Sequence, residues 1–402
     1  MSTVAKAHDA DLPARVGACE DLARTPGSEV YLDPAEVDYE AWNHVGDPLC
    51  EALMTLMRER RLMGGDIYAN ARTLRAEGCP EAIAFFADVE TIPSWLDFEA
   101  LRAGASVGKR NPIGMMFGIH SALPFTYIDP ATAEVMGSTG RLARGGDFAR
   151  RYWETATGFV GALDVDGMKP GGRRWEEWVR IRFLHTMIRM GILRSGRWTM
   201  DSMPISQMAT AGATFIFGQH RVDIMELFGG VLTEEERNSF ALMWRWVSRI
   251  EGAPNQLLGR TTAEEFELQS RIHQFIYGAN PNSAALMAQV VDGTASMALF
   301  GRSRRLNHAV ARRQLGPAMT RTVPGKDARE LLDLPADPLV DGLLAASRYP
   351  LLALGYGART RPIRALFDRR GQAFYDRLVA RGLHGVKADY RGTPVAGRPT
   401  DQ

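Results

Sequence analysis

The residue whose type and setting point first to chemistry is His185, inside the stretch RRWEEWVRIRFLHTMIRMGI at 173–192. At about 3.6 residues per turn, Trp178, Ile181, His185, Ile188 and Ile192 share one helical face. An imidazole thus stands in an apolar seam where a helix ordinarily places Leu or Ile. Arg182 and Arg189 lie three residues before it and four after it, one turn away on either side. A histidine in an apolar wall between two cations suits a haem, with an axial nitrogen for iron and positive charge for the propionates. The plainer reading is a core histidine bonded to a backbone carbonyl. The residues alone leave both open.

A second group lies about thirty residues earlier. In RYWETAT, which begins at Arg151, the side chains of Arg151, Glu154 and Thr155 fall within about one turn of each other. Their plain reading is a surface Arg–Glu pair and a hydroxyl bonded to a carbonyl one turn back. Other signatures are missing from the chain: H-E-x-x-H, E-x-x-H, C-x-x-C, C-x-x-C-H and the P-loop. The eight histidines show no metal-ligand spacing with one another. Metal chemistry here would therefore be a single-histidine site with the metal held by a macrocycle.

The elements that must position these residues read as helices throughout. With 402 residues, 45% of them hydrophobic and 24% charged, the composition is that of a globular protein with a sizeable core. A formal net charge of +1 gives no reason to expect nucleic acid. The three cysteines, Cys19, Cys50 and Cys79, are too few and too irregular for a disulfide framework. The sequence shows no export signal and no apolar run of about 18 residues, so the expectation is a cytoplasmic protein without a membrane span.

Residues 1–40 lack periodicity and are expected to form a loosely ordered arm; 41–387 form one large helical domain; 388–402 form a disordered tail. Expected helices are 48–62, capped by Asp47 with Pro48 at the first position, then 80–90, 96–103, 112–123 and 131–138. Further helices are expected from Asp147 to 163 and over 173–192, 204–228, 233–250, 262–278 and 281–299. Residues 164–172, DVDGMKPGG, are a clear break. Gly114 and Gly118, four apart, let another helix or a flat ligand come close to the backbone, and helix packing is the commoner cause. Met115, Met116, Phe117, Phe159, Phe183, Phe215 and Phe217 could wall an apolar site and serve equally well as core.

The order and spacing of several short strings carry a resemblance. R-x-x-E-T at 151–155, followed by R-x-x-H-x-x-x-R at 182–189, resembles the rubber-oxygenase (latex-clearing protein) family, whose relatives include the fungal oxygenase of mycophenolic acid biosynthesis. G-D-P-L at 46–49, I-P-S-W-L-D at 92–97, T-G-R-L at 139–142 and W-R-W-V-S-R-I-E-G-A-P at 244–254 agree with it. The resemblance runs over about residues 40–300. It implies an all-α fold with a globin-like core and extra helices, one b-type haem, and dioxygen-dependent cleavage of an isoprenoid C=C bond to carbonyl products.

Carried over residue by residue, the resemblance makes His185 the axial ligand to iron, flanked by Arg182 and Arg189, with Arg151 and Thr155 on the distal side. The family's distal carboxylate base has Glu134 as its nearest counterpart, offset by one residue. Rubber oxygenases place a lysine just before the distal threonine, where this chain has Glu154. That carboxylate could itself be the base. With no export signal, a small prenyl or terpenoid substrate is expected in place of solid polymer. The alternatives are a haem-binding sensor and a helical ligand carrier without oxygenase turnover.

Overall fold

The computed structural model describes residues 11–138, 148–278, 280–297, 301–386 and 388, and among these every extended regular element is a helix. The all-α expectation is met. Local chemistry sets most of the helix starts. Asp47 accepts a hydrogen bond from the Cys50 amide at 3.2 Å, ahead of Pro48 in the helix Pro48–Glu59. Thr233 and Glu236 close a reciprocal capping box at the start of Glu234–Ile250 (Glu236 N to Thr233 Oγ1 3.2 Å, Thr233 N to Glu236 Oε2 2.9 Å). The helices Pro80–Glu90 and Pro130–Ser138 begin on proline as well.

Three expectations are corrected. The long helix expected over 204–228 is two, Gln207–Phe217 and Gln219–Leu227, because the chain turns at Gly218 (φ −92°, ψ −90°). The short helix expected over 96–103 is a turn, followed by Leu101–Arg110. There the Asp97 carboxylate accepts from the Glu99 amide at 2.9 Å, a local bond that competes with helix formation. The arm expected over 1–40 contains the helix Leu12–Ala23, whose Cys19 is buried in an apolar cluster with Trp42, Met208, Leu257 and Leu268. Arg15 of that helix pairs with Asp38 at 2.6 Å. The T-G-R-L string, the Asp147 cap and nearly all of the expected tail lie outside the described residues.

A larger apolar cluster forms the main core and includes Trp175, Trp178, Trp244, Trp246, Phe85, Phe86 and Phe183. Burying a side chain of Phe size contributes about 1.5–3 kcal/mol, so this cluster dominates the packing energy. Gly114 and Gly118 serve helix packing. A Cβ on Gly114 would lie 2.6 Å from Met225 Cα, and one on Gly118 would lie 3.0 Å from Arg221 Nε, both on the neighbouring helix Gln219–Leu227. The expected wall residues divide in the same way. Phe159 and Phe217 border the cavity described below, whereas Met115, Phe183 and Phe215 are buried in the core. Phe117 stacks on Phe228 at 4.0 Å.

Candidate active site in an apolar cavity

His185 projects from the helix Arg173–Arg194, which follows the 164–172 break. One side of this helix is fixed in the core, where Phe183 stacks on Phe85 with ring centroids 5.0 Å apart. Another side, formed by Trp178, Ile181, Leu184, His185 and Ile188, lines a cavity of about 560 Å³. That is within the range of about 300–1,000 Å³ usual for small-molecule sites. The lining is mostly apolar, with Phe125, Ile128, Val135, Met136, Ile216 and Ile276 among its members.

Arg182 and Arg189 lie one turn from His185 in sequence, yet neither lines the cavity. Arg182 gives two hydrogen bonds to Asp47 (Nε–Oδ2 2.7 Å, Nη2–Oδ1 2.9 Å) and one to Asp88 (Nη1–Oδ2 2.9 Å). Asp88 in turn accepts from Arg249 Nη2 at 2.5 Å. All four side chains are buried. Gly252 closes over the cluster with φ +100°, and a Cβ there would meet Arg182 Nε at 2.7 Å and Asp47 Oδ2 at 2.8 Å. Glycine is required at 252 both for its φ and for that approach. The strings at 46–49 and 244–254 thus meet beneath the His185 helix and tie it to two others.

Arg189 acts on the cavity wall. It donates to the carbonyls of Pro204 (Nε 3.0 Å) and Ile205 (Nη2 2.5 Å) and to Glu51 Oε1 (Nη1 3.0 Å). Ile205 lines the cavity with φ +51°, a left-handed conformation that a β-branched residue adopts only when its surroundings impose it. The Arg189 clamp is part of what imposes it.

The helix Phe148–Gly161 supplies another wall, with Arg150, Arg151, Glu154 and Thr155 among the lining residues. Three of the residues singled out in the sequence therefore share the cavity with His185. Glu154 accepts from Arg150 Nε at 2.9 Å. The Thr155 hydroxyl makes no bond back along its helix, unlike Thr157, which donates to the Trp153 carbonyl at 2.9 Å. Glu134 does not line the cavity, although its neighbours Val135 and Met136 do. Its carboxylate accepts from Asn282 Nδ2 at 3.0 Å and Asn280 Nδ2 at 3.4 Å.

Burial pushes the His185 imidazole down to about 4; the Arg189 charge adds to this and Asp47 opposes it. His185 is therefore neutral at pH 7, the form that binds metals, and it makes no hydrogen bond among the described residues. The cavity residues that the sequence pattern does not mark include His273 and Glu251. His273 is buried and pairs through Nε2 with the Gly212 carbonyl at 3.1 Å. Glu251 ends the Glu234–Ile250 helix, and its position in sequence looks like that of a solvated cap. No periodic signal distinguishes either residue, because packing of distant segments brings them to the cavity.

Residues 106–353 match the family model described as "ER-bound oxygenase mpaB/B′/Rubber oxygenase, catalytic domain", well over half of the chain. The chain belongs to this oxygenase family. Its fold is similar to a solved structure of latex clearing protein LCP in the closed state, with a TM-score of 0.60 and 17% sequence identity, over 87% of this chain and 96% of that one. No curated protein matches the chain. Asp47, Asp88 and the Pro48–Glu59 and Pro80–Glu90 helices precede the matched catalytic domain, so its His185 helix is anchored partly from outside it. No helix among the described residues is long and apolar enough to cross a membrane.

Proposed function

We propose that this family member is a haem b-dependent oxygenase that cleaves a C=C bond of an isoprenoid or other apolar substrate. The observation that carries the reading is His185, an imidazole with no hydrogen-bond partner among the described residues and kept neutral by burial, on the wall of a largely apolar cavity in an oxygenase chain. Among the described residues, no three His, Cys, Asp or Glu side chains are grouped to hold a metal ion. The donor set thus fits a metal carried by a macrocycle with one protein ligand. Bound there, haem would be held by His185 and would supply the iron that activates dioxygen.

The remaining roles belong to the chain's own residues. Arg182 and Arg189 serve the cofactor at one remove, holding the His185 helix and the Ile205 wall. Arg151 and Thr155 can donate hydrogen bonds to an oxygen atom inside the cavity, where low polarity strengthens them. Glu154 is the carboxylate of this group that can take up or return a proton, and its pairing with Arg150 orients it. Glu134, bound by two asparagine amides, would reach substrate only after a rearrangement of its helix. The apolar lining excludes water and accepts a hydrocarbon chain. In the reaction, one O2 and one C=C become two C=O groups, each oxygen atom ending on one former alkene carbon, with no external reductant consumed.

The test is oxygen uptake by haem-loaded protein offered squalene, farnesol and short polyisoprene oligomers, with the carbonyl products trapped as hydrazones. The expected result is one O2 consumed for each pair of carbonyl ends formed. Haem-loaded protein that consumes no oxygen above background with any of them, or forms no carbonyls, would overturn the assignment.

A further inference from the structure

The cavity holds a carboxyl group that the mechanism above does not use. Glu251 follows the last residue of the Glu234–Ile250 helix and lines the cavity. It forms no side-chain hydrogen bond or ion pair among the described residues. The residue is partly accessible, and it is one of the residues that line the cavity.

Its surroundings favour the neutral acid. Nearby charges are already balanced, with Arg182 and Arg249 set against Asp47 and Asp88. An ionised Glu251 would add a further negative charge without a partner. The negative end of the helix dipole works in the same direction. Burial pushes the Glu251 carboxyl up to about 8, with the Arg182 charge only partly offsetting it. At neutral pH the group therefore carries a proton and can both donate and accept a hydrogen bond.

A buried carboxylic acid left unpaired is costly. A bare hydrocarbon filling the cavity would displace water from Glu251 and give it nothing in return. An occupant with a hydroxyl or carbonyl group can satisfy it. The geometry points to Glu251 as the group that recognises the polar end of the substrate, selecting an apolar chain that carries a hydroxyl or carbonyl over the bare hydrocarbon of the same skeleton. This deepens the reading of the cavity as an isoprenoid site and rests on it.

The experiment is equilibrium binding of farnesol and farnesene by calorimetry, on the purified full-length protein as isolated, for the wild type, Glu251→Leu and Glu251→Gln. The wild type is expected to bind farnesol about tenfold or more tightly than farnesene. Glu251→Leu should reduce that ratio to near one, chiefly through tighter binding of farnesene, and Glu251→Gln should retain most of it. Because both ligands are measured on one preparation, the ratio is insensitive to the fraction of a variant that folds. Equal binding by the wild type, a preference that survives in Glu251→Leu, or no binding of either ligand would overturn the assignment. None of these readouts depends on turnover, so a failure of the oxygenase reading would be seen separately, in the oxygen-uptake assay.

Discussion

Asp88→Ala is expected to destabilise the protein by about 3–5 kcal/mol, because it leaves two buried guanidinium groups, Arg182 and Arg249, short of a counter-charge. The loss would appear as a lower urea midpoint and a lower Tm. Burial alone would raise the Asp88 carboxyl; the charges of Arg249 and Arg182 and their hydrogen bonds outweigh that and hold it well below the usual carboxylate range. A depressed folded-state pKa means that its stabilising contribution is full above the unfolded value of about 3.9 and is lost as pH falls through the folded value. The wild type should therefore lose stability below about pH 4, and Asp88→Ala should show a shallower acid dependence. A variant with wild-type stability would show that the cluster does not anchor the His185 helix.

The second large effect is kinetic. Arg151→Ala should lower kcat by about 10²–10³-fold, the usual cost of removing one pre-oriented donor from a site where charge develops. Its Tm should be almost unchanged, since Arg151 is only partly buried on the Phe148–Gly161 helix. Haem content should also be preserved, because His185 is untouched. Arg151→Lys should recover part of the rate, as a cation with different geometry. A wild-type kcat in Arg151→Ala would remove this residue from the reacting centre. A loss of haem in step with the loss of rate would assign it to cofactor binding instead.

The fold class was legible because helical periodicity and helix starts are local. Asp47-Pro48, Pro80 and the Thr233–Glu236 box each act within four residues, and the structure places helices there. The turn at Gly218 was not legible, since apolar residues continue on both sides and packing decides where the chain bends. The face carrying His185 was legible from spacing. The destinations of Arg182 and Arg189 were not: their long side chains leave that face for partners at 47, 88, 51, 204 and 205, far away in sequence. Arg151, Glu154 and Thr155 do share the cavity with His185. Glu251 carries no signal in the sequence, because a glutamate at a helix end is ordinarily solvated and only tertiary packing desolvates this one.

Binding of a b-type haem by His185 is the step on which the proposed oxygenase function depends. Its most direct test is the visible spectrum of the purified protein, as isolated, after haem supplementation and after dithionite, with pyridine haemochrome quantitation and His185→Ala alongside. The expected result is a Soret band, a b-type haemochrome near one per chain, and loss of both in a His185→Ala variant that keeps its helical circular dichroism. A folded wild-type protein that stays colourless after haem is supplied, or a His185→Ala variant with an unchanged spectrum, would contradict it.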